Sequence, residues 1–202
     1  HPTMHSSEVL IIGSGLAALT TALHLAEHKH VTLLTKRELL DGASAWAQGG
    51  IAAVQASHDS EEAHIRDTLI AGAGLCNEQV TRFVVSQGRE MIDWLIGQGV
   101  SFTKEDESSG FHLTREGGHS ERRVVHAADA TGLAVQTSLG ARVRSHPNIS
   151  ILEHHLAIDL ITGRHTGEDE RRVYGVYALD TRSGKVETYA AGYVVLATGG
   201  AG

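Results

Sequence analysis

Val9-Leu10-Ile11-Ile12-Gly13-Ser14-Gly15-Leu16-Ala17-Ala18 decides the fold class of this chain. Four apolar residues in succession suit a strand buried on both faces of a parallel sheet. Glycines follow at once, and from Leu16 to about Glu27 the residues Leu16, Leu19 and Leu23 return at helical spacing. Val31–Leu34 then supplies a second buried-type strand and closes a βαβ unit. At the strand-to-helix junction Gly13, Gly15 and Ala18 form G-x-G-x-x-A. Each position has a physical task there: Gly13 permits the tight turn, Gly15 lets the backbone approach a pyrophosphate, and small Ala18 allows close helix-to-strand packing. Unpaired N–H groups and the positive dipole end at the helix start favour an anion. A dinucleotide is therefore expected to be held, mainly through backbone, by Gly13, Ser14, Gly15, Leu16, Ala17 and Ala18. An acidic residue for a ribose hydroxyl usually follows about 20 residues on. Here the second strand ends in Leu34-Thr35-Lys36. The missing acid argues against a simple NAD dehydrogenase, although Thr35 keeps a hydroxyl that can reach a ribose.

Outward from this unit, Asp59 is expected to cap a helix carrying Ile65 and Leu69. Asn77 is expected to cap another carrying Val80, Phe83, Val84, Met91, Trp94 and Leu95, ended by Gly97 and Gly99. Thr103 to Gly118 is polar and glycine-rich, and reads as a loop long enough to suggest function. Thr131 to about Arg144 is again helical, and Ile149 to Ile161 is extended. Val173–Leu179 and Val186–Ala191 read as a hairpin turning through Asp180–Lys185, and Tyr193–Ala197 as a further buried strand that runs into Thr198-Gly199-Gly200. The class is α/β, a parallel central sheet with a β-hairpin or meander insert.

Composition narrows the partners. The chain has 202 residues, 41% hydrophobic and 20% charged, the balance of one globular domain. A net charge of -7 with scattered Lys and Arg offers no basic face, so nucleic acid is not an expected partner. No apolar stretch approaches the roughly 18 residues of a spanning helix, so no membrane partner is expected either. The single Cys76 cannot form an internal bridge, which fits a cytoplasmic location. His1, Pro2 and Thr3, ahead of Met4, read as an expression remnant, leaving residues 4–202 as the domain. His24 and His28 lie i, i+4 near His30, yet no carboxylate or cysteine completes a set, so no metal site is expected.

Ala47-Gln48-Gly49-Gly50-Ile51 resembles the A-Q-G-G-I stretch of the family of succinate dehydrogenase, fumarate reductase and aspartate oxidase flavoproteins. That family also ends its second strand in Ser or Thr followed by Lys. Gly117-Gly118-His119-Ser120, Ala128-Asp129-Ala130-Thr131-Gly132 and Leu196-Ala197-Thr198-Gly199-Gly200-Ala201-Gly202 resemble three further family segments, so the likeness spans essentially the whole chain. It implies a Rossmann-like FAD-binding domain. Its cofactor contacts would come from the phosphate turn, Lys36, the run Ala43, Ser44, Ala45, Trp46, Ala47, Gln48, Gly49 and Gly50, and the returning Gly199 and Gly200. Ala43 stands where succinate dehydrogenases carry the histidine that bonds to the flavin, so the FAD would be non-covalent. Trp46 could pack on the flavin or fill core.

Glu116, beside the paired glycines, stands where the dicarboxylate enzymes carry an apolar aromatic residue. A lone Glu on a polar loop is ordinarily a solvated surface carboxylate. Within the resemblance it instead implies recognition of an ammonium group, and the run His112-Leu113-Thr114-Arg115-Glu116-Gly117-Gly118-His119-Ser120 is similar to the L-aspartate oxidases in particular. The implied reaction is FAD-dependent oxidation of L-aspartate to iminoaspartate with oxygen or fumarate as acceptor, the first step toward NAD, with quinolinate synthase as a candidate partner. His119 would lie near flavin or substrate, with no proton-transfer role assigned. The family's catalytic arginine, capping domain and C-terminal helices would lie beyond Gly202, so these residues alone are expected to have no turnover. Two alternatives stay open: a fumarate-reducing or succinate-oxidising flavoprotein, and a non-enzymatic dinucleotide-binding module.

Overall fold

The computed structural model describes residues 4–105, 110–128 and 130–200, apart from the side chain of Ala43. Strands and helices follow in the order β1 (Met4–Ile12), α1 (Leu16–Leu25), β2 (Val31–Leu34), a 3-10 turn (Ala43–Trp46), β3 (Ile51–Ala52), α2 (Glu61–Ala71), α3 (Glu78–Ser86) and α4 (Gly88–Gly97). Then come β4 (Val124–Val125), α5 (Thr131–Ser145), β5 (Ile149–Leu152), β6 (His155–Thr162), α6 (Gly163–Thr166), β7 (Val173–Asp180) and β8 (Lys185–Leu196). Among the described residues no helix is long and apolar enough to cross a membrane. His1–Thr3, read above as an expression remnant, lie outside the described residues, as do Asp129, Ala201 and Gly202.

Two compact units divide the chain, one running to Ala45 and resuming at Gln136, the other Trp46–Val135. The first is built on a six-stranded sheet of order β5-β2-β1-β8-β7-β6. Its four leading strands are parallel, with Val9 opposite Val31 and Tyr193, and Leu33 opposite Ile151. The remaining strands form an antiparallel meander, β8 to β7 to β6. The expected parallel sheet with a meander insert is thus present. β1 uses both of its faces, since successive side chains alternate. Leu10 and Ile12, with Leu34 of β2, pack against Val176, Ala178 and Tyr189 of the meander. α1 contributes its own buried stripe, Ala18, Leu19, Ala22 and Leu23.

Tyr193–Ala197 and Val186–Ala191, read from sequence as separate strands, are one. β8 pairs antiparallel with β7 over Lys185–Ala190 and parallel with β1 from Thr188 to Leu196, so neighbours on both sides carry it through Gly192. The Ile149–Ile161 run, by contrast, is two strands. It breaks at Glu153-His154, where His154 takes φ 60 and the chain leaves β5, beside β2, to enter β6, beside β7.

In the second unit β3 and β4 form a two-residue antiparallel ladder, Ile51 opposite Val125 and Ala52 opposite Val124. Gly50 runs so close that a Cβ there would lie 2.2 Å from the Val125 carbonyl oxygen. Ser60, not Asp59, caps α2: its side chain accepts from Ala63 N–H, because Asp59 is taken by a buried ion pair. Asn77 caps α3 as expected, accepting from Val80 N–H. The long helix expected to carry residues 80 to 95 is divided at Gln87, the C-cap of α3 and N-cap of α4. Gly88 lies there with its Cβ position 3.2 Å from Ala53 Cβ, and glycine is a weak helix former, so packing governs the direction of the chain. The polar stretch after Thr103 is not wholly irregular: Lys104 bridges Phe111 and Thr114 bridges Val124, with residues 106–109 of the expected loop outside the described residues.

Candidate functional site

In the first unit, the carboxyl ends of β1, β2 and β8 and the opening of β6 surround a cleft of about 530 Å³. Open parallel sheets place ligands at such strand ends, and the volume lies in the range of small-molecule sites. Gly13, Ser14, Gly15, Lys36, Ser44, Gly199 and Gly200 all line it, so the structure brings together sequence positions nearly the full length of the chain apart. Gly13 has φ 138, and a Cβ on it would lie 2.0 Å from the carbonyl oxygen of Ala197, where β8 ends. That glycine is required by the passage of another strand as much as by the turn itself. Ala18 is fully buried, as close packing of α1 demands.

Gly15 is the N-cap of α1, extended at φ -77, with no side-chain cap and no acidic residue in the first turn. Leu16 N–H donates to Ser44 Oγ at 3.4 Å. The first turn of the helix therefore carries no carboxylate of its own to repel a phosphate, and Lys36 lines the cleft as well. Thr35 is buried; its N–H donates to Leu152 and its carbonyl accepts from His155 N–H, both at 3.0 Å. These features fit a dinucleotide pyrophosphate: backbone donors, a cation, and glycine positions whose missing side chains leave room.

Sequence reading overlooked several members of this site. Arg37, Asp41, Gly42, Thr198 and the β6 residues His155, Leu156 and Ala157 also line the cleft. Gln136, fully buried, donates from Nε2 to the Ser14 carbonyl at 2.7 Å and to the Leu39 carbonyl at 3.2 Å, which fixes the phosphate turn from beneath. A glutamine in the middle of a helix gives no sequence signal of that duty. Only its pairing with a residue 122 positions away reveals it.

The second unit holds Trp46, Ala47, Gln48, Gly49, Gly50 and Glu116, all but Gly50's close contact with β4 lying at the surface. Trp46 is 82% exposed and fills no core in its unit. Ala47 accepts Gly132 N–H at 2.9 Å, which ties the glycine-bearing loop to the start of α5. Glu116 is exposed, its carboxylate 3.4 Å from Thr114 Oγ1, and its carbonyl accepts His119 N–H at 3.2 Å, closing a turn.

Arg123, at 0% exposure the bulkiest fully buried side chain among the described residues, is the unforeseen feature of this unit. It donates to both oxygens of Asp59 at 2.8 and 3.0 Å and to Asp67 at 2.7 Å. Burial by itself would raise both aspartates. The Arg123 guanidinium and the Ser60 backbone nevertheless hold Asp59 below its ordinary range, and Ser120 and Arg123 together hold Asp67 far below it. The buried His64 ring, 5.5 Å from that of His119, is lowered by burial and then by Arg123. Among the described residues no three His, Cys, Asp or Glu side chains are grouped to hold a metal.

An α/β nucleotide-binding domain with a glycine-lined anion site is the class that this sheet and cleft define. Residues 8–202 match the FAD binding domain family, and the chain belongs to that family. FAD is accordingly the cofactor of this fold. Among relatives, L-aspartate oxidase 1 of Ralstonia nicotianae is 58% identical over 196 residues, which cover 96% of this chain and 37% of that protein. L-aspartate oxidase of Vibrio cholerae is 52% identical over 201 residues, covering 98% of this chain and 38% of the relative. The FrdA chain of E. coli quinol fumarate reductase matches in structure with a TM-score of 0.92 at 28% identity, over 99% of this chain and 34% of that one. The chain thus spans somewhat more than a third of the length of the curated relatives it matches.

Proposed function

We propose that this chain is the N-terminal, FAD-binding portion of a cytoplasmic flavoprotein that oxidises L-aspartate to iminoaspartate. The observation that carries this reading is the near-complete match of these residues to proteins named L-aspartate oxidase, at far higher identity than to the fumarate reductase chain. Oxidation takes a hydride from Cα and a proton from the ammonium group, leaving a carbon–nitrogen double bond. FAD, when bound, supplies the two-electron acceptor. Oxygen or fumarate takes the electrons afterwards, and quinolinate synthase is the partner suited to consume the imine.

The roles of this chain's own residues follow. Gly13 to Ala18 form the turn that holds the pyrophosphate, with the N–H groups at the opening of α1 facing it, and Lys36 adds a cation. Ala43 to Gly50 and the returning Gly199 and Gly200 hold the flavin side of the cofactor, and Ala43, lacking a nucleophile, leaves it non-covalent. Glu116 accepts charge-assisted hydrogen bonds from the substrate ammonium, the one group that separates aspartate from succinate. The catalytic arginine of this reading lies beyond Gly202.

An anaerobic visible spectrum of the flavin-loaded full-length protein that carries this chain, before and after L-aspartate and separately succinate, tests the proposal. Bleaching by aspartate and not by succinate is the expected result. Bleaching by succinate alone would replace it with a dicarboxylate enzyme.

A further inference from the structure

Arg123 is not in the cofactor cleft, and a lone buried guanidinium is costly unless its donors are matched. Four of its N–H donors are matched here, and one of them reaches His119, in the stretch that carries Glu116. Nε and Nη2 bind Asp59, while Nη1 binds both Asp67 Oδ2 at 2.7 Å and His119 Nδ1 at 3.0 Å. The same Asp67 oxygen receives the N–H and the hydroxyl of Ser120, each at 2.7 Å. Arg123 N–H donates to the Thr114 carbonyl at 3.2 Å, and Thr114 N–H to Val124 at 3.0 Å. The Thr114 end of the turn is thereby fastened by main-chain pairing with Arg123 and Val124, and its His119–Ser120 end by the Arg123 guanidinium and Asp67. A guanidinium has no acceptor, so the His119 nitrogen that faces it offers a lone pair, and the ring proton resides on Nε2.

We propose that Arg123, anchored on Asp59, is a positioning residue for substrate selection: through Asp67 and His119 it fixes the Glu116–Ser120 turn and holds His119 as the Nε2–H tautomer. This rests on the L-aspartate reading for Glu116. Beyond the Thr114 bridge and the His119 N–H to Glu116 hydrogen bond, the turn has little stiffness of its own, since Gly117 and Gly118 lie inside it and Gly118 takes φ 84. Freeing it lets the Glu116 carboxylate wander from the substrate ammonium, which weakens binding before it slows chemistry.

The test uses the flavin-loaded full-length protein that carries this chain, with Arg123→Lys and, in case that variant fails to fold, Asp67→Asn. Lysine keeps the charge but cannot span Asp59, Asp67 and His119 at once. Hydrogen exchange of peptides covering residues 112–122, measured without substrate, is expected to quicken about tenfold in Arg123→Lys, while peptides of β1 and β2 hold their rates. KM for L-aspartate is expected to rise about tenfold with kcat within about twofold, and Asp67→Asn to change both in the same direction by less. Unchanged exchange in the 112–122 peptides, or faster exchange with KM unmoved, would overturn the proposal. Should L-aspartate fail to reduce even the unaltered protein while exchange still quickens in the variant, the substrate reading of Glu116 has failed and the clamp on the turn stands.

Discussion

Replacing Gly13 or Gly15 with alanine separates two roles that a shared motif hides. At Gly13 the added Cβ lies 2.0 Å from Ala197 O and 2.7 Å from Ala197 C, on a backbone at φ 138. Neither chain can retreat cheaply, because Gly13 N–H donates to Leu34 and Ala197 N–H to Ile12, each at 2.9 Å. The disfavoured dihedral costs about 1–3 kcal/mol. Overpacking against backbone adds about 1–3 kcal/mol. Their sum, about 2–6 kcal/mol, is a large part of the roughly 5–15 kcal/mol that holds a domain together. At Gly15 φ is an ordinary -77 and the nearest atom to a Cβ is Ser44 Oγ at 3.3 Å, so the fold should lose no more than about 1 kcal/mol. Its methyl group, however, enters the space through which the backbone meets the pyrophosphate. Thermal unfolding without FAD, followed by FAD titration, distinguishes the two. Gly13→Ala should lower the melting temperature by at least about 5 °C, and Gly15→Ala should melt within about 3 °C of the parent but bind FAD at least about tenfold more weakly. A Gly13→Ala protein with unaltered melting and FAD affinity would refute the close-approach reasoning.

Other perturbations give distinct signatures. Gln136→Leu strips the donor from the buried carbonyls of Ser14 and Leu39, and should cost about 1–3 kcal/mol in chemical denaturation while weakening FAD binding. Asp59→Ala leaves Arg123 buried beside one fewer carboxylate, and denaturation should show a loss of about 3–5 kcal/mol. Because Asp59 and Asp67 are depressed in the folded state, the stability they add is complete above the unfolded value of 3.8 and is lost as pH falls below it through their folded values. Denaturation midpoints measured below about pH 4 should fall steeply, and Asp67→Asn should flatten that limb; an unchanged limb would remove Asp67 from the acid response. Gly50→Ala, with its Cβ 2.2 Å from Val125 O and 2.5 Å from Val124 Cγ1, should open the β3–β4 ladder at a cost of about 1–3 kcal/mol, read by denaturation.

Residues 9–34 announced their own elements because the signals that mark strand, turn and helix there are local. Apolar runs, helical spacing and a glycine turn follow each other without interruption, and β1, α1 and β2 form where the pattern placed them. The motif resemblances likewise pointed to FAD from the sequence alone. What the sequence left undetermined depends on partners far along the chain. Two apparent strands are a single β8 because β7 and β1 flank it, and the expected cap at Asp59 is displaced because a guanidinium 64 residues away claims the carboxylate. His155 to Ala157 reach the cofactor cleft only because the meander brings the opening of β6 to the end of β2. Arg123 and Gln136 lie in stretches whose composition predicts solvent or helix surface, yet both are fully buried. A polar side chain enters a core where distant groups meet its donors, as they do most of those of Arg123 and Gln136, and those groups are assembled by tertiary contact, which no local pattern encodes.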